Sequence, residues 1–200
     1  MKKNSFKFQV SSFKFLLCIF WVVVGCFSCR QNYTPKPYAY FRIDFPEREY
    51  RMYDSICPLT FEYPVYGNLA YRIPPASDSC WLDIVFAKYK GTIHLTYGKI
   101  DNNLDCLKED IWNLVYSKIA LRADAVDDYY IIREPDIYSV IYEIKGNAAS
   151  PMEFLVTDSV KNFLRGALYF SVKPNYDSLA PVINFFREDV IHLIETVQWK

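Results

Sequence analysis

Hydrophobic and polar residues alternate along several short stretches of the chain, a pattern typical of β-strands with one buried face. The clearest case is GTIHLTY (Gly91–Tyr97), where isoleucine, leucine and tyrosine alternate with threonine and histidine. Trp81–Ala87 precedes it by only three residues, so we expect the two stretches to form a hairpin. Other predicted strands are Leu59–Val65, Tyr129–Glu134, Ile137–Lys145, Met152–Asp158 and Phe163–Val172.

Two further stretches repeat hydrophobic residues every three or four positions, as amphipathic helices do. The first covers about residues 103–121 and the second covers Asp177–Val197. Ser178 or Asp177 is expected to cap the second helix, and Pro181 to lie within its first turn. Strands joined by short loops pair antiparallel, and amphipathic helices must bury their apolar faces. The sequence therefore predicts an α+β domain, an antiparallel sheet with helices packed on it, in an order that resembles the PsbP/Mog1-like sandwich.

The amino-terminal residues have the pattern of an export signal. Four lysines accompany the start of the chain, FLLCIFWVVVG (Phe15–Gly25) is uncharged, and no acidic residue occurs before Asp44. This apolar run is shorter than the roughly 20 residues that a membrane-spanning helix needs. We therefore expect residues 1–25 to be a signal peptide that is removed. The alternative is an uncleaved membrane-anchor helix.

The end of that run, Val-Val-Gly-Cys, resembles the lipobox of bacterial lipoproteins, in which the cysteine becomes a lipidated amino terminus. By this pattern Cys26 carries the lipid, and Cys29, which also follows a small residue, is the alternative. A redox pair is disfavoured because nothing nearby indicates the strand-then-helix context of such a motif. Residues 26–40 are then the lipid anchor with an extended tether, and residues 41–200 a single domain. Acyl chains such as palmitate would hold this domain to a membrane.

The charge balance argues against binding of nucleic acid. The chain has 23 basic and 23 acidic residues, and the four lysines of residues 1–25 account for part of the basic total. Without them 19 basic and 23 acidic residues remain, a formal net charge of −4. Such a mixed surface offers no basic patch for phosphate groups. The expected partners are therefore the membrane, through acyl chains, and other proteins.

Three cysteines lie within the predicted domain of a chain that is expected to reach an oxidising compartment. Cys57 and Cys80 each precede a predicted strand. A disulfide between them would close a loop of about 24 residues, worth roughly 3 kcal/mol. Cys106 is expected to be a buried thiol on the first helix. No spacing of cysteine and histidine matches a zinc site, so we expect no metal and no cofactor.

No motif indicates an enzyme. The two histidines, His94 and His192, accompany no serine or cysteine motif that they would activate. The acidic run Asp124–Asp128 lacks the glycine and the spacing of a calcium loop and is expected to be a solvated helix end. The chain also contains no glycine-rich phosphate loop.

PYAYFRIDFPEREY (Pro37–Tyr50) is dense in aromatic and charged side chains. This segment either wraps on its own domain or serves as a docking strip for a partner, because protein interfaces favour tyrosine and arginine. The candidate docking strip consists of Tyr38, Tyr40, Phe41, Arg42 and Phe45.

Several stretches resemble the gliding motility-associated lipoprotein D (GldD) family. They are PKPYAYFRIDFPEREY (Pro35–Tyr50), FEYPVY (Phe61–Tyr66), CWLDIVF (Cys80–Phe86), GNAASPMEFLVTDSVKNFLRGALYF (Gly146–Phe170), PNYDSLAPVI (Pro174–Ile183) and the final Trp199-Lys200. The resemblance implies an envelope lipoprotein without enzymatic activity. It also implies support of surface-adhesin motility and of the linked type IX secretion machinery. Only the lipid-bearing cysteine can be carried over from the family.

Two functions are therefore considered. The first is a non-enzymatic lipoprotein that stabilises or positions protein partners of a motility and secretion complex. The second is an envelope glycan- or peptide-binding module, or a hydrolase in which an acid such as Asp83 would act. Phe27 and Arg30, which follow the candidate cysteines, are not part of an acidic cluster of the kind linked with surface export. We therefore expect a periplasm-facing attachment.

Overall fold

The structure, a computed structural model, describes residues 42–72, 79–133 and 135–200. The expected signal peptide, both candidate lipid cysteines and most of the tether lie outside the described residues. Ten strands are present in the described part: β1 (Tyr50–Asp54), β2 (Leu59–Pro64), β3 (Asn68–Arg72), β4 (Cys80–Phe86), β5 (Gly91–Lys99), β6 (Ala123–Arg133), β7 (Ile137–Gly146), β8 (Met152–Thr157), β9 (Asn162–Phe170) and β10 (Gln198–Trp199).

The strands form two antiparallel sheets. The larger sheet has seven strands in the order β3-β4-β5-β9-β8-β7-β6, and the smaller has the order β1-β2-β10. The predicted hairpin is confirmed, because β4 pairs with β5 and places Leu82 opposite Leu95. Two helices accompany the sheets, α1 (Leu104–Asn113) and α2 (Tyr176–Thr196). The predicted α+β class with an antiparallel sheet is therefore confirmed.

The main core lies between the large sheet on one side and α2 with the small sheet on the other. Alternate residues of each strand point into it, and Phe86 of β4 meets Phe186 of α2 with 4.4 Å between ring centroids. Both rings are fully buried. Burial of an apolar side chain of this size contributes on the order of 1.5–3 kcal/mol, so the two layers are joined chiefly by such contacts.

Helix α1 covers part of the opposite face of the large sheet. Ile111, Val115 and Ile119 are buried in a second core cluster together with residues of β7, β8 and β9. These three residues are spaced four apart. In an α-helix of 3.6 residues per turn their side chains would therefore point in progressively different directions. The chain keeps them on one face by continuing after α1 as a wider π-helical segment, Leu114–Ile119.

The predicted cap of the second helix was wrong. Helix α2 begins one residue earlier than expected, and Asn175 is its cap, with its side chain accepting a hydrogen bond from the backbone N–H of Ser178. Asparagine caps helices as well as serine or aspartate does. Because the helix begins at Tyr176, Pro181 lies beyond the first turn rather than within it.

Two expectations about individual residues were also wrong. Cys106 is exposed rather than buried, because the buried stripe of α1 passes through Ile111 and position 106 lies on another side of the helix. Asp124–Asp128 is part of β6 rather than a helix end. The acids are tolerated there because β6 is an edge strand with mostly exposed side chains.

None of the helices in the described residues is long and apolar enough to cross a membrane.

Candidate functional site

A concave surface of about 520 Å³ lies beside α1 on the outer face of the large sheet. We call it the aromatic groove. The residues that line it are Lys108, Glu109 and Trp112 of α1, Tyr130 and Ile132 of β6, Tyr138, Ser139, Val140 and Tyr142 of β7, Leu155 and Thr157 of β8, and Ser159.

The groove exists because α1 covers only part of this sheet face. Tyr130 is paired with Val140, and Ile132 with Tyr138, so the side chains of both strands stand in rows on the same face. Helix α1 covers the side chains around Val140, whereas the side chains nearer the sheet edge are exposed to solvent. Trp112 is 52 % exposed, Tyr130 69 % and Ile132 59 %. A contiguous exposed patch of large apolar side chains typically marks an interaction site.

Two aromatic rings that line the groove, Trp112 and Tyr142, are linked through Tyr116. Trp112 and Tyr116 lie 5.2 Å apart between ring centroids, and Tyr116 and Tyr142 meet edge to face at 6.1 Å. At the opposite rim the Tyr130 hydroxyl donates a hydrogen bond to Asp128 at 2.9 Å, and this bond raises the pKa of Tyr130. The described lining residues include no histidine or cysteine. Large exposed aromatic rings with a few polar groups around them are suited to binding.

The described part of the predicted docking strip lies on its own domain. The Phe45 ring stacks on Phe185 of α2 at 4.3 Å and on Tyr89 at 5.8 Å, so this ring is occupied within the chain. Arg42 is exposed and pairs with Asp44 at 3.0 Å. Tyr38, Tyr40 and Phe41 lie outside the described residues.

A buried carboxylate fixes the segment that follows the strip. Asp189 of α2 accepts hydrogen bonds from the hydroxyls of Tyr50 at 3.0 Å and Tyr66 at 2.5 Å. Arg48 lies 3.7 Å from the same carboxylate and donates to the Phe185 carbonyl oxygen at 3.3 Å. Burial raises the pKa of Asp189 above its ordinary value, and burial together with the Asp189 charge raises the pKa of Tyr50 to about 12.

The structure places Asp83, the acid named for the alternative hydrolase function, beside one of the two histidines. Nδ1 of His94 on β5 lies 2.7 Å from Asp83 on β4, and the same carboxylate pairs with Arg72 at 2.9 Å. Asp83 is thus held between an arginine and an imidazole, and both contacts lie within the sheet. His192 lies apart from these residues, 2.7 Å from Glu62 and stacked on Tyr50.

Glu153 on β8 and Arg165 on β9 lie on the same face of the large sheet as Asp83 and His94, the face that bears the groove. The Glu153 carboxylate is fully buried and accepts a hydrogen bond from Arg165 at 2.9 Å. Burial raises the pKa of Glu153, although the arginine favours its ionised form. No group of three or more acidic, histidine or cysteine side chains suited to a metal ion occurs among the residues that the structure describes.

Cys57 and Cys80 form a disulfide, with 5.7 Å between their Cα atoms. Cys57 lies in the loop between β1 and β2, and Cys80 begins β4. The bond therefore joins the small sheet to the large one. A loop of this length corresponds to roughly 3 kcal/mol of stability in the chain-entropy account.

The aromatic groove was not identified from the sequence. Trp112 follows the buried Ile111 directly, which places its side chain away from the buried stripe of α1 and is the one local signal of exposure. Tyr130 and Ile132 belong to a stretch predicted only as a strand, and their exposure depends on where α1 ends on the sheet.

Comparison with known proteins provides the remaining findings. A model of the family described as gliding motility lipoprotein GldD matches residues 30–199. No curated protein matches the chain. Among solved structures, the solution structure of cyanobacterial PsbP (CyanoP) from Synechocystis sp. PCC 6803 is similar, with 10% sequence identity and a TM-score of 0.47. The similarity covers 78% of this chain and 95% of that one.

Proposed function

Since the chain belongs to the gliding motility lipoprotein GldD family, we propose that its domain holds a protein partner of the motility machinery at the aromatic groove. Members of this family are gliding motility lipoproteins, so the chain is a membrane-anchored protein of the cell envelope with a role in gliding. There the folded domain stabilises or positions another protein, without catalysing a reaction.

The exposure of Trp112 and Tyr130 is the observation that carries this proposal. Both side chains are more than half exposed, although each is a large aromatic residue within a regular element of the fold. Tryptophan and tyrosine are enriched among the residues that dominate binding energy at interfaces. Binding of a partner would remove these rings from water, which favours association by about 25 cal/mol per Å² of apolar area.

The proposed anchor is a lipidated cysteine at the start of the mature chain. Residues 1–25 would be removed as a signal peptide, Cys26 (or alternatively Cys29) would carry acyl chains such as palmitate, and residues 26–40 would be the tether. The domain would then face the periplasm. The proposed partners are proteins of the motility complex and of the linked type IX secretion machinery.

The experiment compares groove variants of the full-length acylated protein in the source bacterium. Trp112→Ala and Tyr130→Ala should each lower the recovery of chemically cross-linked partners by at least about 10-fold, because loss of a central aromatic anchor removes a large share of the binding energy. Ile56→Ala is the matched control, since Ile56 is 76 % exposed and lies outside the groove.

Membrane fractionation shows whether each variant is still anchored, and thermal unfolding shows whether it is folded. Equal recovery of cross-linked partners from wild type, both groove variants and the control would overturn the proposal. The proposal would also be overturned if Ile56→Ala lowered the recovery of cross-linked partners as much as the groove variants do, because the loss would then not depend on the groove.

A further inference from the structure

Strand β6 is a long strand at one edge of the seven-stranded sheet. It contains 11 residues and pairs with β7 on one side, and no other described strand pairs with it. An edge strand presents a row of backbone N–H and C=O groups to which another strand can be added. Most side chains of β6 are exposed.

The hydrogen bonds of neighbouring strands show which β6 residues direct their backbone groups outward. The N–H of Ile144 on β7 donates to Pro151, toward β8, so alternate residues of β7 point toward β6. Ser139 is one of these, and its hydroxyl also donates to the carbonyl oxygen of Ile131, its partner on β6. The backbone N–H and C=O groups of Ile131 therefore point toward β7. The residues whose backbone groups point away from β7 alternate with it and are Asp128, Tyr130 and Ile132.

These outward-pointing residues are the ones whose side chains border the aromatic groove. Tyr130 and Ile132 line it directly, and Asp128 accepts the hydrogen bond of the Tyr130 hydroxyl at the rim. In an antiparallel addition the residues opposite them would place their side chains on the same face. A strand added here would therefore bond to the edge with its backbone and fill the groove rim with alternate side chains.

The charge of the edge indicates the chemistry of the added strand. The exposed Asp128 accepts its hydrogen bond from a neutral hydroxyl, so that contact leaves its negative charge in place. Asp127 on the other face is neutralised by an ion pair with Lys145. Two copies of this edge paired so that Asp128 lies opposite Asp128 would bring like charges together, which is unfavourable in cross-strand pairs. A strand that carries a basic residue on its groove-facing side would be favoured.

We infer that the partner supplies an extended segment that adds antiparallel to β6, with apolar side chains facing Tyr130 and Ile132 and a basic side chain facing Asp128. This inference rests on the proposed function, because it specifies how a protein partner engages the aromatic groove. Backbone hydrogen bonds provide affinity in this mode of recognition, and alternate side chains provide specificity.

The test uses a synthetic eight-residue peptide in which valine, leucine and lysine alternate with threonine, so that all three side chains fall on one face. The control peptide has the same side chains but carries N-methyl groups on the valine and leucine amides, which removes donors that the ladder needs. Amide hydrogen exchange of the full-length protein in detergent is followed by NMR. The first peptide should slow exchange at Asp128, Tyr130 and Ile132 by at least about 10-fold, and the control peptide should not.

Ile132→Pro and Ile132→Ala separate the backbone from the side chain. Both remove the isoleucine side chain, but only proline removes an outward N–H, and an edge strand tolerates proline at such a position. We expect the peptide to bind Ile132→Pro at least about 10-fold more weakly than Ile132→Ala. If Ile132→Pro does not fold, Asp128→Lys provides a second measure, since it should weaken binding of the lysine peptide several-fold by like-charge repulsion.

Unchanged exchange at the outward amides under saturating peptide would overturn the inference, as would equal peptide affinity of Ile132→Pro and Ile132→Ala. A dimer that sedimentation detects in wild type and that Ile132→Pro dissociates would also overturn it, in favour of a second copy as the occupant. If these tests fail while Trp112→Ala still loses the cross-linked partner, the proposed function stands and only strand addition is rejected. Failure of both tests rejects both.

Discussion

Phe154 on β8 lies directly against the backbone of its cross-strand neighbour Gly166 on β9. A Cβ atom placed on Gly166 would lie only 1.9 Å from Cζ of the Phe154 ring, a distance that no real side chain tolerates. The ring is fully buried in the main core, so it has little room to move aside. The absence of a side chain at position 166 is therefore a requirement of core packing.

Gly166→Ala should destabilise the domain by about 2–4 kcal/mol, because the added methyl group displaces a closely packed ring. Urea unfolding followed by tryptophan fluorescence gives the free energy of unfolding. Gly98→Ala is the matched control, since a Cβ at Gly98 would meet nothing within 4 Å. A Gly166 variant as stable as the Gly98 variant would show that the Phe154 ring is free to shift.

Tyr66→Phe should destabilise the domain by about 1–3 kcal/mol. The substitution removes a hydroxyl that donates to the buried Asp189 carboxylate, and a buried charged acceptor that loses a donor bears a desolvation penalty. Tyr63→Phe is a suitable control, because the Tyr63 hydroxyl has no hydrogen bond to any of the described side chains. Thermal and urea unfolding of the two variants would be compared. Equal losses would indicate that the Asp189 bond contributes no more than an ordinary tyrosine hydroxyl.

Because the Glu153 carboxyl group is buried, we expect the free energy of unfolding to depend on pH in a specific way. Burial raises the pKa of Glu153 in the native state, so the native state retains this proton to a higher pH than the unfolded chain does. Where the native state binds more protons, the free energy of unfolding decreases as pH rises. The contribution of Glu153 should therefore fall from about pH 4.3, the ordinary glutamate pKa, up to its raised native pKa.

Glu153→Gln removes this titration. Urea unfolding at intervals from pH 4 to pH 8 should show the stability of wild type falling relative to the variant as pH rises through that window. An opposite trend, with wild type gaining relative stability as pH rises, would mean that the ion pair with Arg165 outweighs the effect of burial.

Removal of the disulfide should lower the free energy of unfolding by roughly 3 kcal/mol, because Cys57 and Cys80 constrain the unfolded chain. The double variant Cys57→Ala/Cys80→Ala tests this in urea unfolding. Cys106→Ala is the control, and we expect a change within about 0.5 kcal/mol because Cys106 is exposed. A similar loss in the wild type under reducing conditions would tie the effect to the covalent bond. Stability unaffected by either treatment would contradict this prediction.

The proposed lipid attachment predicts different outcomes for two neighbouring cysteines. Cys26→Ser should release the protein from the membrane fraction or leave the unprocessed precursor, because its thiol would carry the acyl chains. Cys29→Ser should leave anchoring unchanged. Mass spectrometry of the amino-terminal peptide identifies the acylated residue directly. Release by Cys29→Ser alone would reassign the anchor to Cys29.

The sequence predicts those strands and helices whose side chains alternate between a buried and an exposed face. β5 is such a strand, and its pairing with β4 followed from the short connection between them. β1 was missed because Tyr53 is its one buried residue, so it has no alternation to detect. The acidic start of β6 was assigned to a helix end for a related reason, since an edge strand does not need an apolar face.

The aromatic groove depends on packing between distant parts of the chain, which a local pattern does not contain. Trp112 is separated by 18 residues from Tyr130, and their proximity follows from how α1 lies across β7 and β8. The buried partners of Asp189 are similarly distant, since Tyr50 and Tyr66 precede it by 139 and 123 residues. Neither set could be assembled from spacing alone.

Under the proposed lipid attachment, the disulfide would limit how far the chain can be extended from its amino-terminal end. Tension applied at Arg42 would first break the contact between Phe45 and α2. It would then break the contacts of Arg48 and the pairing of β1 with β2. Extension would stop at Cys57, where the covalent bond transfers the load to Cys80 within the large sheet. About fifteen residues, or roughly 50 Å of extended chain, could unravel before that point. A pull on the proposed amino-terminal tether would thus release a short, fixed length of chain and leave intact the large sheet that bears the aromatic groove.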